Sequence, residues 1–209
     1  MDDRRSGMTL VEIAVVMVIM GLLVGTGILM GRAMIEGARA KDTMAMASDL
    51  VVAVRGFKEK YHYLPGDLPN ARAKISTDVP VECDYTRDDD ANTPMVVGNG
   101  VIDAVVVGVD KLSETSCVSE HLSHAGMIKG GAEAMRSRFG VVRVLSRAAF
   151  ELETGAPDLP DTWRNVIVFE QLPLDVAQEM DRQMDEGGFN SGQHRYVAQD
   201  PVPLYVLPF

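Results

Sequence analysis

The sequence predicts an α+β fold, in which one long, membrane-spanning N-terminal helix packs on a head with a small antiparallel sheet. Two observations support this prediction. An uncharged apolar run from Ile13 to Met30 is followed by apolar residues at helical spacing as far as Tyr61. Beyond Pro65, the first proline of the chain, short segments rich in β-branched residues alternate with turn residues.

The run from Ile13 to Met30 is about long enough to cross the hydrocarbon core of a bilayer as a helix. Arg4 and Arg5 precede it, and basic residues are retained on the cytoplasmic side of a membrane. The rest of the chain is therefore expected to face outward. Glu12 lies at the cytoplasmic end of this segment, where an unpaired carboxylate costs a few kcal/mol, so we expect it to serve a function.

The helical pattern continues beyond the membrane segment. Five apolar residues recur at spacings of three or four and mark one helix face: Met46, Leu50, Val54, Phe57 and Tyr61. The segment Leu64-Pro65-Gly66-Asp67 then requires a turn. A single helix from Met8 to about Tyr61 would be on the order of 80 Å long.

After the turn, the head is predicted to contain loops, strands and short helices. We expect an irregular acidic segment at Asp84–Gly100 and a strand or buried connector at Val101–Val109. Strand composition marks Val141–Leu145, Asn165–Leu172, Arg195–Ala198 and Pro203–Leu207. Helices are predicted at Ser119–Met127, ending at Ala125-Gly126, and at Pro173–Met184.

Length and charge limit the possible functions. The 209 residues leave room for one globular domain after the membrane segment. The formal net charge is −10, so direct binding to nucleic-acid phosphates is not expected. The sequence contains no nucleophile elbow, phosphate loop, dinucleotide fingerprint or defensible carboxylate pair, so we predict that the chain is not an enzyme.

The N-terminal residues resemble the class III signal of type IV pilins and type II secretion pseudopilins. The shared features are Gly7, the apolar Met8, then Thr9-Leu10-Val11-Glu12 and an apolar helix. The resemblance implies that a prepilin peptidase cuts between Gly7 and Met8 and methylates the new amine of Met8. The alternatives are an uncleaved anchor and an ordinary signal peptide, whose apolar core would be shorter and would end at a small-residue cleavage site.

The resemblance also implies a domain organisation. Residues 1–7 are the leader, 8–30 the transmembrane and filament-core helix, 31–63 its amphipathic extension, and 64–209 the extracytoplasmic head. One departure concerns the apolar half of the helix, where many pilins have a helix-breaking proline and this chain has none.

Three later segments are similar to a branch of prepilin-like proteins. Tyr61–Asp67 looks like its Tyr-x-x-x-Pro-Gly-Asp turn, and His121–Gly126 like its His-Leu-x-x-Ala-Gly segment. Met180–Gly187 looks like its Asp-x-Lys-x-Asp-Asp-Gly turn, with Gln183 and Glu186 as departures. These segments extend the resemblance across most of the chain.

The two cysteines, Cys83 and Cys117, both follow the membrane segment and are expected to face outward. In an oxidising compartment such a pair favours a disulfide over two free thiols. A metal site is the weaker interpretation, because neither cysteine belongs to a Cys-x-x-Cys pair. A disulfide closing this loop would stabilise the head by about 3 to 4 kcal/mol in the chain-entropy model.

Two acidic clusters offer oxygen ligands for calcium, which some pseudopilins use to stabilise a late loop. One is Asp88-Asp89-Asp90, whose spacing matches no calcium-loop template, and the other contains Asp181 and Asp185. A solvated loop explains the first cluster more simply, and helix-end and turn roles explain the second equally well. No cofactor is therefore required, and calcium remains the alternative.

A few other residues were considered as ligands or contact residues. His121 and His124 could share one helix face, but no third metal ligand accompanies them, so a structural or surface role is favoured. Trp163, Tyr205 and Phe209 are most simply core or interface residues.

The resemblance implies a non-enzymatic structural subunit of a type IV pilus-like filament or a type II secretion pseudopilus. Its expected location is the bacterial inner membrane, crossed once, with the head in the periplasm or outside, and then the filament. Its expected partners are identical or homologous subunits, the prepilin peptidase, the inner-membrane assembly platform and, before assembly, membrane lipid.

Glu12 is expected to pair with the amine of Met8 on a neighbouring subunit and so to set the register of assembly. Two alternative functions remain. The chain could be a minor pilin that primes assembly or takes part in DNA uptake, or a membrane-anchored extracytoplasmic binding domain that does not polymerise.

Overall fold

The computed structural model describes residues 9–86, 97–104, 110–131, 135–153, 156–185 and 188–209. The helices are α1 (Leu10–Tyr61), α2 (Ala71–Lys74), α3 (Glu114–His124), α4 (Arg147–Phe150) and α5 (Leu174–Met184), with a short 3-10 turn at Val81–Cys83. The strands are β1 (Val142–Ser146), β2 (Asn165–Leu172), β3 (Arg195–Tyr196) and β4 (Val202–Pro208). The chain divides into two compact units, one ending at Arg39 and the other, the head unit, beginning at Ala40.

The first unit contains the apolar part of α1. Its segment Leu10–Ile28 is 19 residues long, has a mean hydropathy of 2.3 and contains no buried residue in the structure. By length and composition this helix can cross a membrane. The hydroxyl of Thr26 donates to the carbonyl of Leu22 at 3.0 Å, so its polar group is satisfied within the helix.

From Ala40 onward, α1 belongs to the head unit and supplies one wall of its core. Leu50, Val54 and Phe57 are buried, and Met46 and Tyr61 pack half-buried against them, which confirms the predicted apolar face. The helix ends after Tyr61, because the next residue, His62, has a left-handed backbone with φ of 61°.

The sheet has four antiparallel strands in the order β1-β2-β4-β3. Alternate residues of β2 point to opposite faces, as expected for a strand buried on both sides. Ile167 and Phe169 join the main core with α1, whereas Val166 and Val168 join a second core with Phe150 of α4. These observations confirm the α+β prediction, with a helix packed on a small antiparallel sheet.

Most predicted element boundaries agree with the structure. β2 has the predicted bounds, and the strands predicted at Val141–Leu145 and Pro203–Leu207 are correct to within one residue at each end. The strand predicted at Arg195–Ala198 stops at Tyr196. α5 begins at Leu174, with Pro173 at its N-cap.

One boundary was wrong. α3 begins at Glu114, five residues before the predicted Ser119, because the side chain of Ser113 caps the helix and accepts from the backbone N–H of Ser116. The segment Val101–Val109 was predicted to be either a strand or a buried connector. Residues 101–104 form no strand, and Ile102 is buried, which agrees with the connector. Residues 105–109 of that predicted segment lie outside the described residues.

Candidate functional site

The N-terminal end of α1 is a reciprocal capping arrangement between Thr9 and Glu12. The Glu12 carboxylate accepts from the backbone N–H of Thr9 at 2.8 Å and from the Thr9 hydroxyl at 2.9 Å. The hydroxyl oxygen of Thr9 in turn accepts from the backbone N–H of Glu12 at 3.3 Å. Within this chain the carboxylate therefore has hydrogen-bond donors, and it also carries negative charge at the positive end of the helix dipole.

The cleavage-site residues Gly7 and Met8 lie outside the described residues. The Thr9–Glu12 arrangement was missed in the sequence analysis, although a signal for it was present. Thr-x-x-Glu before an apolar run is the sequence pattern of a capping box.

In the head unit, two of the segments that carry the family resemblance meet at His121. The backbone N–H of Gly66 donates to Nδ1 of His121 at 2.9 Å. The ring hydrogen is therefore on Nε2, which donates to the carbonyl of Cys83 at 2.9 Å. The His121 ring is fully buried and stacks on Phe57, with ring centroids 6.2 Å apart. Burial lowers the pKa of His121 to about 4, so the ring is neutral at pH 7.

Two buried carboxyl groups lie next to this turn. Asp67 accepts from the backbone N–H groups of Gly98, Asn99 and Gly100, the last two at 3.2 and 2.7 Å. Glu114, the first residue of α3, accepts from the backbone N–H of Asp103 at 2.8 Å through Oε2. The two carboxyl groups thus fix both ends of the segment 98–103 to the core of the head.

The Asp67 and Glu114 carboxyl groups interact electrostatically, and a hydrogen bond between two carboxyl groups requires a proton on one of them. Oε1 of Glu114 is buried and has no donor in the described part of the chain. Burial raises the pKa of Glu114 well above its usual range, and the negative charges of Asp67 and Asp103 raise it further. Burial also raises the pKa of Asp67, although its three backbone donors oppose the shift, so we assign the shared proton to Glu114.

The structure joins Cys83 to Cys117 by a disulfide, with the two Cα atoms 5.4 Å apart, as predicted. Cys117 lies on α3, one turn before His121. The ring of His121 donates a hydrogen bond to the carbonyl of Cys83. The hydroxyl of Tyr85 donates to the carbonyl of Leu112 at 2.7 Å and lies 3.1 Å from Sγ of Cys117. The disulfide, the His121 ring and Tyr85 therefore fix the segment around Cys83 to α3.

Of the acidic residues predicted as calcium ligands, Asp181 and Asp185 lie in the part of the chain that the structure describes. Asp185 accepts from the backbone N–H groups of Gln193 and His194, the latter at 2.7 Å, and so organises the turn before β3. Asp181 is buried with both carboxylate oxygens lacking a hydrogen-bond partner in the described part of the chain. Burial raises the pKa of Asp181, and the neighbouring Asp185 charge adds to this.

Calcium requires six to eight oxygen ligands, and these two carboxylates supply too few. The described residues contain no group of three or more His, Cys, Asp or Glu side chains that could hold a metal ion. Asp88, Asp89 and Asp90 lie outside the described residues, so calcium at that cluster stays a prediction.

The remaining candidates have structural partners. His124 is partly exposed and lies 3.6 Å from Glu120. Tyr205 is fully buried and hydrogen-bonds to His194, and burial raises its pKa. Trp163 packs half-buried against the second core, and Phe209 packs against the main core.

Comparison with known proteins gives one match. The family model described as the prokaryotic N-terminal methylation motif matches residues 2–28. This region is the prepilin-type signal of type IV pilins and pseudopilins, so the predicted resemblance is confirmed at the N terminus. No curated protein and no solved structure matches the chain.

Proposed function

We propose that this chain, which carries the prepilin-type signal of type IV pilins and pseudopilins, is a structural subunit of a pilus-like filament or a secretion pseudopilus. The observation that carries the proposal is the methylation motif at residues 2–28, which overlaps an exposed 19-residue apolar helix. Two environments remove such a helix from water: a bilayer, and contact with the same helices of other subunits. Filament assembly is the transfer from the first environment to the second.

Processing prepares the subunit for this transfer. Cleavage between Gly7 and Met8 by the prepilin peptidase removes the leader and leaves a positively charged amine on Met8. In a filament, the amine of one subunit pairs with the Glu12 carboxylate of a neighbour, whose Oε1 is not used by Thr9. An ion pair of this kind in apolar surroundings forms only when the two chains are in the correct axial register.

The same proposal places the chain in the bacterial inner membrane, crossed once, with the head in the periplasm or outside. Arg4 and Arg5 before the apolar helix support this orientation. The Cys83–Cys117 disulfide supports an oxidising location for the head. The proposed partners are other filament subunits, the prepilin peptidase and the assembly platform of the inner membrane.

Processing is tested by intact-mass measurement of the protein extracted from membranes of cells that contain the peptidase. The expected mass corresponds to loss of residues 1–7 and addition of one methyl group. Gly7→Leu should leave the precursor uncut, because a bulky side chain at the cleavage site blocks the peptidase. A wild-type chain that retains residues 1–7 would contradict the proposal.

Assembly is tested by cross-linking, which separates a filament subunit from an anchored domain that does not polymerise. A cysteine at the exposed anchor position Val16 should give a covalent dimer on mild oxidation, because the anchor helices of neighbouring subunits pack against one another. The same cysteine in the Gly7→Leu background should give no dimer. Monomers alone in both backgrounds would favour the non-polymerising binding domain.

A further inference from the structure

A polar pocket in the head unit contains basic residues but no acidic residue. It lies between α1, the segment before β2, the turn before β3 and the end of β4. The lining residues are Lys58, Gly100, Thr162, Trp163, Arg164, Asn165, Gln193, Pro208 and Phe209. The side chains that line this cavity include two cations and no carboxylate, although the chain as a whole has a formal net charge of −10.

The two basic side chains of the pocket are exposed and have no acidic partner in the part of the chain that the structure describes. Within the described residues, neither Lys58 nor Arg164 forms an ion pair or side-chain hydrogen bond, whereas Arg143 lies 2.6 Å from Glu153 and Arg147 lies 2.6 Å from Asp161. The charges of Lys58 and Arg164 are therefore available to a ligand.

A third cation lies beside the pocket. The guanidinium of Arg195 is 5.6 Å from the centre of the Trp163 ring, and it donates to the carbonyls of Gly192 and His194 at 2.7 and 2.8 Å. Carbonyl oxygens fix the position of this group without neutralising its charge. The Arg195 charge also acts on the buried Asp181 and opposes the rise of its pKa, so Arg195 is not counted among the charges of the pocket.

The pocket wall is held in place by backbone and amide contacts. Asn165 accepts from the N–H of Ile102 at 3.0 Å and donates to the carbonyl of Gly100 at 3.2 Å, so its amide is already occupied. The carbonyl of Arg164 accepts from the N–H of Arg147 at 2.9 Å. Thr162 and Gln193 retain free side-chain donors in the described structure and can contribute neutral hydrogen bonds.

We propose that this pocket, formed around Lys58, Arg164 and Trp163, is a binding site for an oxyanion, either a carboxylate or a phosphate group. The planar guanidinium of an arginine matches both groups with two parallel hydrogen bonds, and a lysine adds a point charge. Thr162 and Gln193 complete a set of donors with no competing acceptor charge among the lining side chains. The site does not depend on whether the chain forms filaments.

The chain contains a single tryptophan, Trp163, so its fluorescence is a native probe of the pocket. The full-length protein in detergent is titrated with inorganic phosphate and, separately, with acetate, in each case against sodium chloride at the same ionic strength. We expect a saturable change with phosphate or acetate that chloride does not produce. An identical response to all three salts would mean charge screening alone and would overturn the proposal.

Variants then locate the site. The double substitution Lys58→Gln with Arg164→Gln should weaken the apparent affinity by about tenfold or more, because two charge-assisted contacts are lost. The matched control, Lys129→Gln with Arg138→Gln, removes the same charge at residues outside this pocket and should leave the affinity unchanged. Equal weakening in both double variants, or none in the first, would overturn the assignment.

Discussion

His121 and Glu114 both lie on α3 and are both buried, but burial moves their pKa values in opposite directions. The pKa of His121 falls to about 4 because the charged ring would be desolvated between Gly66 and Cys83. The pKa of Glu114 rises because its carboxylate would be desolvated beside Asp67. The head should therefore lose stability on both sides of an intermediate pH.

The loss of stability at low pH depends on His121. Its pKa is about 4 in the folded head against a reference value of 6.5, so the unfolded chain takes up the proton first as the pH falls. The contribution of His121 to the free energy of unfolding is then complete above about pH 6.5 and decreases by about 3 kcal/mol by pH 4. His121→Gln cannot titrate, and its stability should therefore change less over this range.

Urea unfolding at a series of pH values measures this effect. The difference in unfolding free energy between variant and wild type gives the contribution of His121 at each pH. The control is His124→Gln, which removes a partly exposed histidine from the same helix. If the unfolding free energies of His121→Gln and wild type ran parallel between pH 4 and 6.5, the neutral, buried assignment of His121 would be wrong.

The loss of stability at higher pH depends on Glu114. Because its pKa is raised in the folded state, the folded head holds a proton that the unfolded chain releases, and stability falls as the pH rises above the ordinary range of a glutamate. Glu114→Gln keeps a donor for Asp67 and an acceptor for Asp103, so this loss should diminish. Unfolding measured between about pH 7 and about pH 9 tests it. Glu120→Gln is the control, and an unchanged slope in Glu114→Gln would exclude the shared proton.

At the scale of elements, the turn after α1 and the start of α3 form one packed unit. Gly66 has φ of +88°, and a Cβ atom built there would lie 2.4 Å from the carbonyl oxygen of Glu114. The turn therefore requires glycine both for its left-handed backbone and for its contact with α3. Gly126, after the end of α3, has φ of +74° but nothing within 4 Å of its Cβ position.

Substituting these two glycines by alanine separates the cost of backbone strain from the cost of steric overlap. Gly126→Ala should cost about 1 to 2 kcal/mol, the price of a left-handed residue with a side chain. Gly66→Ala should cost more, because the Glu114 carbonyl must also move. Thermal or urea unfolding of both variants measures the difference, and equal costs would show that the contact between the turn and α3 is looser than the structure indicates.

At the scale of the whole molecule, the chain combines an apolar helix that needs a lipid or protein environment with a cross-linked head. The two units have different sources of stability: the head from a core buried on both faces of its sheet, the anchor from its surroundings. Glu12 is the carboxylate of the described membrane segment, and Thr9 satisfies it in the single chain. Both Thr9 donors bind Oε2, so the proposed assembly contact can use Oε1 while the Thr9 contact remains.

Glu12→Gln should leave export and cleavage at Gly7 intact but reduce incorporation into filaments by about tenfold or more, since the ion pair with Met8 is lost. Sheared filaments and membrane fractions are compared by immunoblot in cells that lack the wild-type gene. Asp49→Asn, which removes an exposed charge from the head part of α1, is the control. Wild-type incorporation of Glu12→Gln would show that Glu12 does not register assembly.

The sequence by itself determined the features that depend on local order. Apolar spacing defined α1 and its buried face, strand composition defined β2, and the residues around Gly7, Met8 and Glu12 predicted the family signal that the motif match confirmed. Each of these depends on neighbours within a few turns of helix or one strand, so the linear pattern contains the necessary information.

Only the tertiary structure decided which distant polar groups meet. Asp67 pairs with Glu114, Gly66 with His121, and Lys58 lies in one pocket with Arg164, although no local pattern links these positions. The early start of α3 is different, because the Ser113 cap that begins this helix is a local contact with Ser116. A buried polar group must find a partner, but its partner is chosen by chain topology and packing, which sequence spacing does not encode.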